Sequence, residues 1–328
     1  MSKICVLTSG GDAPGMNAAI RAVVRSSLHY KIKVVGSERG YQGLIDGHFK
    51  KLGFKDVANI IQQGGTILRS ARSEEFRTQQ GQQIALNNLR AEGVQGVVVI
   101  GGDGSFMGAK VLSELGMPTI GIPGTIDNDL AYTDYTLGFD TACNTIVDAI
   151  NKLRDTMESH ERVIVLEVMG RHCGDLALYA GVAGGAKAIL VPEVPLKPEE
   201  IVSKIKERQT RANRSGDANR RSFLMVVAEG VAGGANGVKD IIKAHGDFSV
   251  RTVVLGHTQR GGSPSTEDRL LATKFGCHAV ALLKSGQSNR IVGIKDNKVI
   301  DMDIKEGLSQ NKVFDRELYD MSCLMAGV

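Results

Sequence analysis

Five stretches of this chain carry residue types that hold phosphate or move protons, each placed where glycine or a turn former ends an apolar run. Two are glycine-rich: Thr8-Ser9-Gly10-Gly11-Asp12-Ala13-Pro14-Gly15-Met16-Asn17 and Gly101-Gly102-Asp103-Gly104-Ser105, each leading into a helix-period segment. Without a Cβ, glycine lets an anion reach backbone N–H groups, and a following helix N-terminus adds partial positive charge. Both are therefore candidate phosphate cradles, although a tight turn with Pro14 at a helix start accounts for the first equally well. In the second, Asp103 is a hard oxygen donor among glycines, the setting that Mg²⁺ shares with phosphate oxygens, or else a helix cap. Two such loops in one chain favour nucleotide phosphates over two unrelated turns.

The third stretch, Pro123-Gly124-Thr125-Ile126-Asp127-Asn128-Asp129, places acids at i and i+2 on a strand-end loop. One carboxylate can face a reacting hydroxyl and the other a cation, as phosphoryl transfer requires, although an Asx turn is the commoner use of such a run. The fourth and fifth are Met169-Gly170-Arg171-His172-Cys173-Gly174-Asp175 and His257-Thr258-Gln259-Arg260-Gly261-Gly262-Ser263-Pro264. Arginine beside glycine past an apolar run suits bidentate phosphate capture, while an isolated arginine is ordinarily solvated surface. Scanning excludes the standard rivals. There is no Gly-Lys pair and hence no P-loop, no complete G-x-G-x-x-G, no H-E-x-x-H and no G-x-S-x-G.

Positioning these loops requires strands that end beneath them. Apolar runs alternate with helix-period segments at Lys3–Leu7, Lys33–Gly36, Gly96–Ile100, Thr119–Ile122, Val163–Val168, Ala188–Val191, Phe223–Ala228 and Thr252–Leu255. Continuous runs such as VVVI (97–100) and VIVL (163–166) read as strands covered on both faces, which predicts an α/β class with mostly parallel sheets. A helix-compatible stretch from about 141 to 159 follows a domain join placed near Gly138, and 328 residues fit about two domains.

Composition narrows the partners. The 40 glycines exceed the usual share of roughly 7%, without a collagen period or linker tract. A net charge of +4, no Trp and 5% aromatic residues argue against a nucleic-acid surface. Five widely spaced cysteines without a CxxC pair predict free thiols in a reducing compartment. The run Ile4 to Leu7 is too short for a signal peptide and no run approaches a membrane span, so a soluble, cytoplasmic protein with no membrane partner is expected.

Together with GGTILRSAR (64–72) and LGFDTA (137–142), the five stretches resemble, in order and content, the bacterial-type ATP-dependent 6-phosphofructokinases. The resemblance covers nearly the whole chain, thinning at about 205–250 and after 300. It implies two doubly wound α/β domains: 1–138 plus 259–309 for the nucleotide, and 139–258 plus 310–328 for fructose 6-phosphate. It further implies a glycolytic transfer of the ATP γ-phosphoryl group to the sugar 1-hydroxyl. Gly11, Arg72, Gly102, Asp103, Gly104 and Ser105 would serve ATP, with Asp103 toward Mg²⁺. Asp127 would be the general base, beside Thr125 and Asp129, with Arg171 stabilising the moving phosphoryl. Thr125, Asp127, Met169, Gly170, Arg171, Glu229, His257 and Arg260 would hold the sugar phosphate, completed by Arg162 and Arg251 from a neighbouring subunit of a homotetramer.

Two further readings concern the donor and the effector, and the second is a departure from the family pattern. Pyrophosphate-dependent relatives typically carry Asp where this chain has Gly104 and Lys where it has Gly124, so ATP is the expected donor. NAD and lipid kinases share a GGDG-type loop but lack the PGTIDND and MGR stretches; a catalytically inactive nucleotide sensor would not need Asp127. The family's effector site for ADP or phosphoenolpyruvate keeps Arg21, Arg25, Arg154 and Gly185 here, with Arg220 matching a family lysine if a gap is placed there. Phe54, Asn59 and Lys187 stand where arginine, aspartate and glutamate are usual, and 208–221 is a basic stretch around Asp217 that reads as an inserted loop. Weak allosteric responses are expected, because a cation cannot coordinate the effector's metal.

Overall fold

The computed structural model describes residues 1–159, 162–215 and 222–327. Its strands in chain order are β1 (Lys3–Thr8), β2 (Lys33–Ser37), β3 (Phe49–Leu52), β4 (Val97–Gly101), β5 (Thr119–Pro123), β6 (Val163–Val168), β7 (Ala188–Leu190), β8 (Phe223–Ala228), β9 (Val250–Val254), β10 (Arg290–Lys295) and β11 (Lys298–Asp303). The helices are α1 (Met16–His29), α2 (Gly40–Asp46), α3 (Gln79–Ala91), α4 (Asp103–Glu114), α5 (Phe139–Glu158), α6 (Asp175–Ala183), α7 (Pro198–Ser215), α8 (Gly234–Ala244), α9 (Thr266–Lys284), α10 (Ile304–Leu308) and α11 (Arg316–Ala326).

The chain divides into two compact units. One comprises Met1–Ile126, Leu130–Thr141 and Arg260–Lys312; the other comprises Asp127–Asp129, Ala142–Gln259 and Val313–Val328. In the first, seven strands form one sheet in the order β11-β10-β5-β4-β1-β2-β3, parallel through its centre and antiparallel at both edges. Every residue of β4 is buried, as expected of a central parallel strand covered by helices on both faces. Packing of α9 on α1 is close enough to require Gly276, where a Cβ would stand 2.5 Å from the Ala22 methyl. In the second unit four parallel strands run in the order β7-β8-β6-β9. Its core joins β8 and β6 to the apolar faces of α7 (Ile201, Ile205) and α8 (Val238, Ile242).

The architecture is the α/β class read from the apolar runs, with several differences in detail. The last strand of the second sheet starts at Val250 rather than Thr252, because Val250 and Arg251 pair with Val163 and Ile164. The β10–β11 hairpin was not anticipated; it turns through Asp296 and Asn297, at φ 49° and 63°. Residues 208–215 are the final turns of α7, not a loop, while 216–221 of the basic stretch lie outside the described residues. The expected domain limits at 138, 258 and 309 differ from the observed 141, 259 and 312, and Asp127–Asp129 packs with the second unit rather than the first. None of the five cysteines is in a disulfide, and burial pushes the Cys5 thiol up to about 12. Among the described residues no helix is long and apolar enough to cross a membrane.

Candidate active site

In the first unit, three of the singled-out loops leave adjacent strands. Thr8 of β1 is level with Ile100 of β4, and Gly101 of β4 with Pro123 of β5. From β1 the chain goes on to β2 on one side, and from β4 to β5 on the other. This reversal makes the carboxyl ends of β1 and β4 a topological switch point, where open α/β sheets bind ligands.

Glycine permits the closeness of the loops. A Cβ on Gly101 would lie 2.4 Å from the Ser105 Oγ and 2.5 Å from the Ser9 carbonyl oxygen. Gly10 adopts φ +84°, and its carbonyl accepts a hydrogen bond from the Ser70 hydroxyl. Beside this loop, Asn17 holds the 64–72 stretch from α1: its Nδ2 donates to the Gln63 and Gly64 carbonyls at 3.2 and 3.1 Å, and its Oδ1 accepts from Ile67 N at 2.8 Å. The Thr8 hydroxyl donates to the Arg69 carbonyl at 2.8 Å. These bonds fasten the segment that carries exposed Arg72 to the first glycine loop.

At the second loop the N-cap of α4 is Gly102, with no side-chain cap bond, so Asp103 is not the helix cap; it stands exposed in the first turn. A Cβ on neighbouring Gly104 would meet nothing within 4 Å. Ser105 is buried, its carbonyl accepting from the Tyr41 hydroxyl at 2.5 Å. Among the described residues no group of three or more His, Cys, Asp or Glu could hold a metal ion. Arg260, expected among sugar-phosphate ligands, lies across Gly11 in this unit, its Nη1 donating to the Asp12 carbonyl at 3.2 Å.

The second unit gathers the acids and arginine. Asn128 takes φ 51°, the left-handed turn that Asn tolerates, and its Nδ2 donates to the Asp175 Oδ2 at 2.9 Å. That turn sends both flanking carboxylates toward Arg171: Asp127 Oδ2 is 3.8 Å from its Nε and Asp129 Oδ2 is 3.8 Å from its Nη1. Asp127 is 2% exposed, whereas Arg171 is exposed. Arg171 has φ 54° after Gly170 at φ 129°, and its N–H donates to the Glu229 Oε1 at 2.8 Å. Glu229 follows β8, and its own N–H donates to the Val168 carbonyl at 2.8 Å. Gln259, which sequence reasoning passed over, is wholly buried and accepts from the Met169 N–H through Oε1 at 3.1 Å. Its flank by His257 and Arg260 was the one available signal. His257 is exposed in the 3₁₀ turn Gly256–Arg260.

Arg162 and Arg251 stand elsewhere. Arg162 immediately precedes β6 and Arg251 is level with Ile164, so both lie at the amino end of the sheet whose carboxyl end carries Met169 to Arg171 and Glu229. The length of β6 separates them, about 20 Å at roughly 3.3 Å per residue.

The candidate effector residues are described unit by unit. On α1, Arg21 and Arg25 are half-buried; burial first and Arg25's charge second hold the Arg21 guanidinium below its usual range. Arg25 sits 5.8 Å from the Phe54 ring centre, a cation–π contact. In the second unit Arg154 donates to the Gly184 carbonyl, beside Gly185 at φ +66°. Lys187 is half-buried, and its ammonium is pushed down by burial and then by the charges of Arg208 and Arg154. Arg220 lies outside the described residues.

Comparison with known proteins gives consistent relatives. A family model described as phosphofructokinase matches residues 3–283. The ATP-dependent 6-phosphofructokinase of Clostridioides difficile (strain 630) is 55% identical over 326 residues, covering 99% of this chain and 100% of that one. A solved phosphofructokinase from Saccharomyces cerevisiae superposes with a TM-score of 0.87 at 37% identity, covering 99% of this chain and 48% of that chain, so this chain spans about half the yeast chain's length. A pyrophosphate-dependent phosphofructokinase from Marinobacter aquaeolei shares the fold, with a TM-score of 0.84 at 22% identity over 98% of this chain and 92% of that one.

Proposed function

Because the chain belongs to the phosphofructokinase family, we propose that it transfers the γ-phosphoryl group of ATP to the 1-hydroxyl of fructose 6-phosphate, giving fructose 1,6-bisphosphate and ADP. The observation that carries the reading is the turn at Asn128, which aims two carboxylates at one arginine: Asp127 and Asp129 each approach the Arg171 guanidinium at 3.8 Å. Buried Asp127 takes the proton from the 1-hydroxyl, and Arg171 stabilises the charge spread over the moving phosphoryl oxygens. A pure nucleotide sensor would have no use for this pairing.

On the donor side, Gly11, Gly102, Gly104, Ser105 and Arg72 receive the ATP phosphates. The residues fit a Mg²⁺ that arrives with the nucleotide: Asp103 offers one hard oxygen donor in an exposed first turn, without a multi-carboxylate cage among the described residues. When bound, that ion neutralises phosphate charge. ATP rather than pyrophosphate is supported by the open space at Gly104. At Gly124 a Cβ would already come within 3.0 Å of the Ile100 Cγ2 and 3.2 Å of the Met16 Cε, which speaks against a longer side chain there.

The sugar phosphate is held by Thr125, Met169, Gly170, Arg171, Glu229, His257 and Arg260. Arg162 and Arg251, at the far end of the strands from Arg171, serve a neighbouring copy, which makes the active form a homo-oligomer, a tetramer on the family pattern. We place the enzyme in the cytoplasm with its glycolytic substrates, and assign Arg21, Arg25, Arg154, Gly185 and Arg220 to a weakened effector site. The test is product formation from fructose 6-phosphate with ATP or pyrophosphate as donor. ATP-dependent fructose 1,6-bisphosphate supports the reading; a comparable pyrophosphate rate, or none with either donor, overturns it.

A further inference from the structure

We propose that Asp268, outside every loop assigned above, is a positioning residue for phosphoryl transfer: its carboxylate buckles segment 136–141, and that segment holds the Pro123–Thr125 stretch and the first glycine loop in place. The inference rests on the kinase reading just given.

Asp268 lies in the first turn of α9 and is 1% exposed. Its Oδ1 accepts from Gly138 N at 2.8 Å, and its Oδ2 accepts from Thr141 N at 2.9 Å and from the Thr141 hydroxyl at 2.5 Å. The same Thr141 oxygen accepts from Ser265 N at 2.9 Å, and the Ser265 hydroxyl accepts from Asp268 N at 3.2 Å, closing the buckle. All three groups aimed at the carboxylate are donors, so its acceptor-only chemistry is required; an amide would set its own N–H groups against at least one of them.

From the buckle, contacts run to the candidate chemistry. Leu137 N donates to the Pro123 carbonyl at 2.9 Å, and the Thr136 hydroxyl donates to the Thr125 carbonyl at 2.6 Å. Gly138, at φ +99°, packs where a Cβ would meet the Ala13 Cβ at 2.8 Å and the Pro14 Cδ at 3.1 Å, so it abuts the first glycine loop. Asp268 itself comes close to that loop, its Cβ and carbonyl oxygen each 3.6 Å from where a Cβ on Gly15 would lie. Burial pushes the Asp268 carboxyl up to about 6 against the pull of the Thr141 and Gly138 hydrogen bonds, with Asp140's charge adding to the rise. An ion kept at that cost is explained by what it holds.

The test measures kcat, both KM values and melting temperature for wild type, Asp268→Asn, Thr136→Val, Thr141→Val and the double variant Asp268→Asn/Thr136→Val. Misplacing reacting groups by a fraction of an ångström lowers kcat with little effect on ground-state binding. Thr136→Val and Asp268→Asn are each expected to lower kcat by roughly tenfold or more, with both KM values within about threefold, and the double variant to lose less than the product of the singles. If Asp268→Asn does not fold, the two threonine variants decide by the same criterion. Turnover within about threefold of wild type in the threonine variants, losses confined to KM, or a multiplicative double variant would each overturn the proposal. Wild type that fails to phosphorylate fructose 6-phosphate with ATP would instead strike the kinase reading.

Discussion

The two ends of the four-stranded parallel sheet differ in how they treat positive charge. At the carboxyl end Arg171 faces Asp127 and Asp129, and its backbone is held by Glu229. At the amino end each strand start carries a cation: Lys187 before β7, Arg162 before β6, Arg251 within β9, and Arg208 bonded through Nε to the Ser222 carbonyl before β8 at 3.1 Å. There the like charges crowd, and Lys187 is pushed down by Arg208 and Arg154 on top of its burial. A cation set against carboxylates is equipped for proton and phosphoryl movement at that place. A cation set among cations is relieved by an incoming anion, which is the basis on which we propose the amino end as a phosphate-holding surface for another copy's substrate or for an effector.

The largest expected effect lies at the carboxyl end. Asp127→Asn should lower kcat by roughly 10²- to 10⁴-fold while fructose 6-phosphate and ATP still bind, as removing a positioned base does. Steady-state kinetics with binding titrations check it, and turnover within threefold would erase the distinction between the ends. At the amino end the signature should differ: Arg162→Ala and Arg251→Ala are expected to raise the fructose 6-phosphate KM by roughly 10- to 100-fold with the ATP KM nearly unchanged. An unaltered sugar-phosphate KM in both would remove the amino end from substrate binding.

Smaller effects sharpen the account around Lys187. Saturation curves for fructose 6-phosphate should barely move with sub-millimolar Mg-ADP or phosphoenolpyruvate, and Lys187→Glu should increase the Mg-ADP response by several-fold, toward the roughly 5- to 150-fold span of ordinary coupling. A large wild-type shift would show that the remaining arginines suffice. The smallest effect is on stability. Because burial and two guanidinium groups disfavour the Lys187 charge, its folded pKa lies below the unfolded one. The stability linked to the neutral form is therefore lost as pH falls, and at neutral pH Lys187→Gln should raise Tm by about 1–3 °C. A fall in Tm on calorimetry would count against the crowding.

Much of the fold was legible because its signal is local. VVVI and VIVL are continuous apolar runs made mostly of β-branched residues, and both are central strands buried on two faces. The phosphate loops announced themselves by glycine at strand ends, and β1, β4 and β5 lie side by side. The β10–β11 hairpin was missed although Asp296-Asn297 is turn chemistry, since its outer strand KVIDMD is only half-buried and its polar residues dilute the pattern. Gln259 could be read only through its neighbours His257 and Arg260, and Asp268 not at all. Their partners, Met169 and the 138–141 segment, are far away in sequence, and a long-range hydrogen bond leaves no periodicity in either segment. The same reason hid the grouping of Asp127–Asp129 with the second unit, which depends on Asp175 and Arg171 rather than on local composition.

The most direct test of the contrast between the two ends is complementation between copies. Asp127→Asn and Arg162→Ala chains, each assayed alone and then co-expressed in equal amounts and purified as mixed oligomers, all at fructose 6-phosphate near the wild-type KM where the raised KM leaves Arg162→Ala largely inactive, should recover about a quarter of the wild-type rate if base and arginine of one site come from different copies, since random mixing pairs an intact base with an intact arginine in that fraction of sites. Mixed oligomers no more active than the average of the two variants alone would contradict the account.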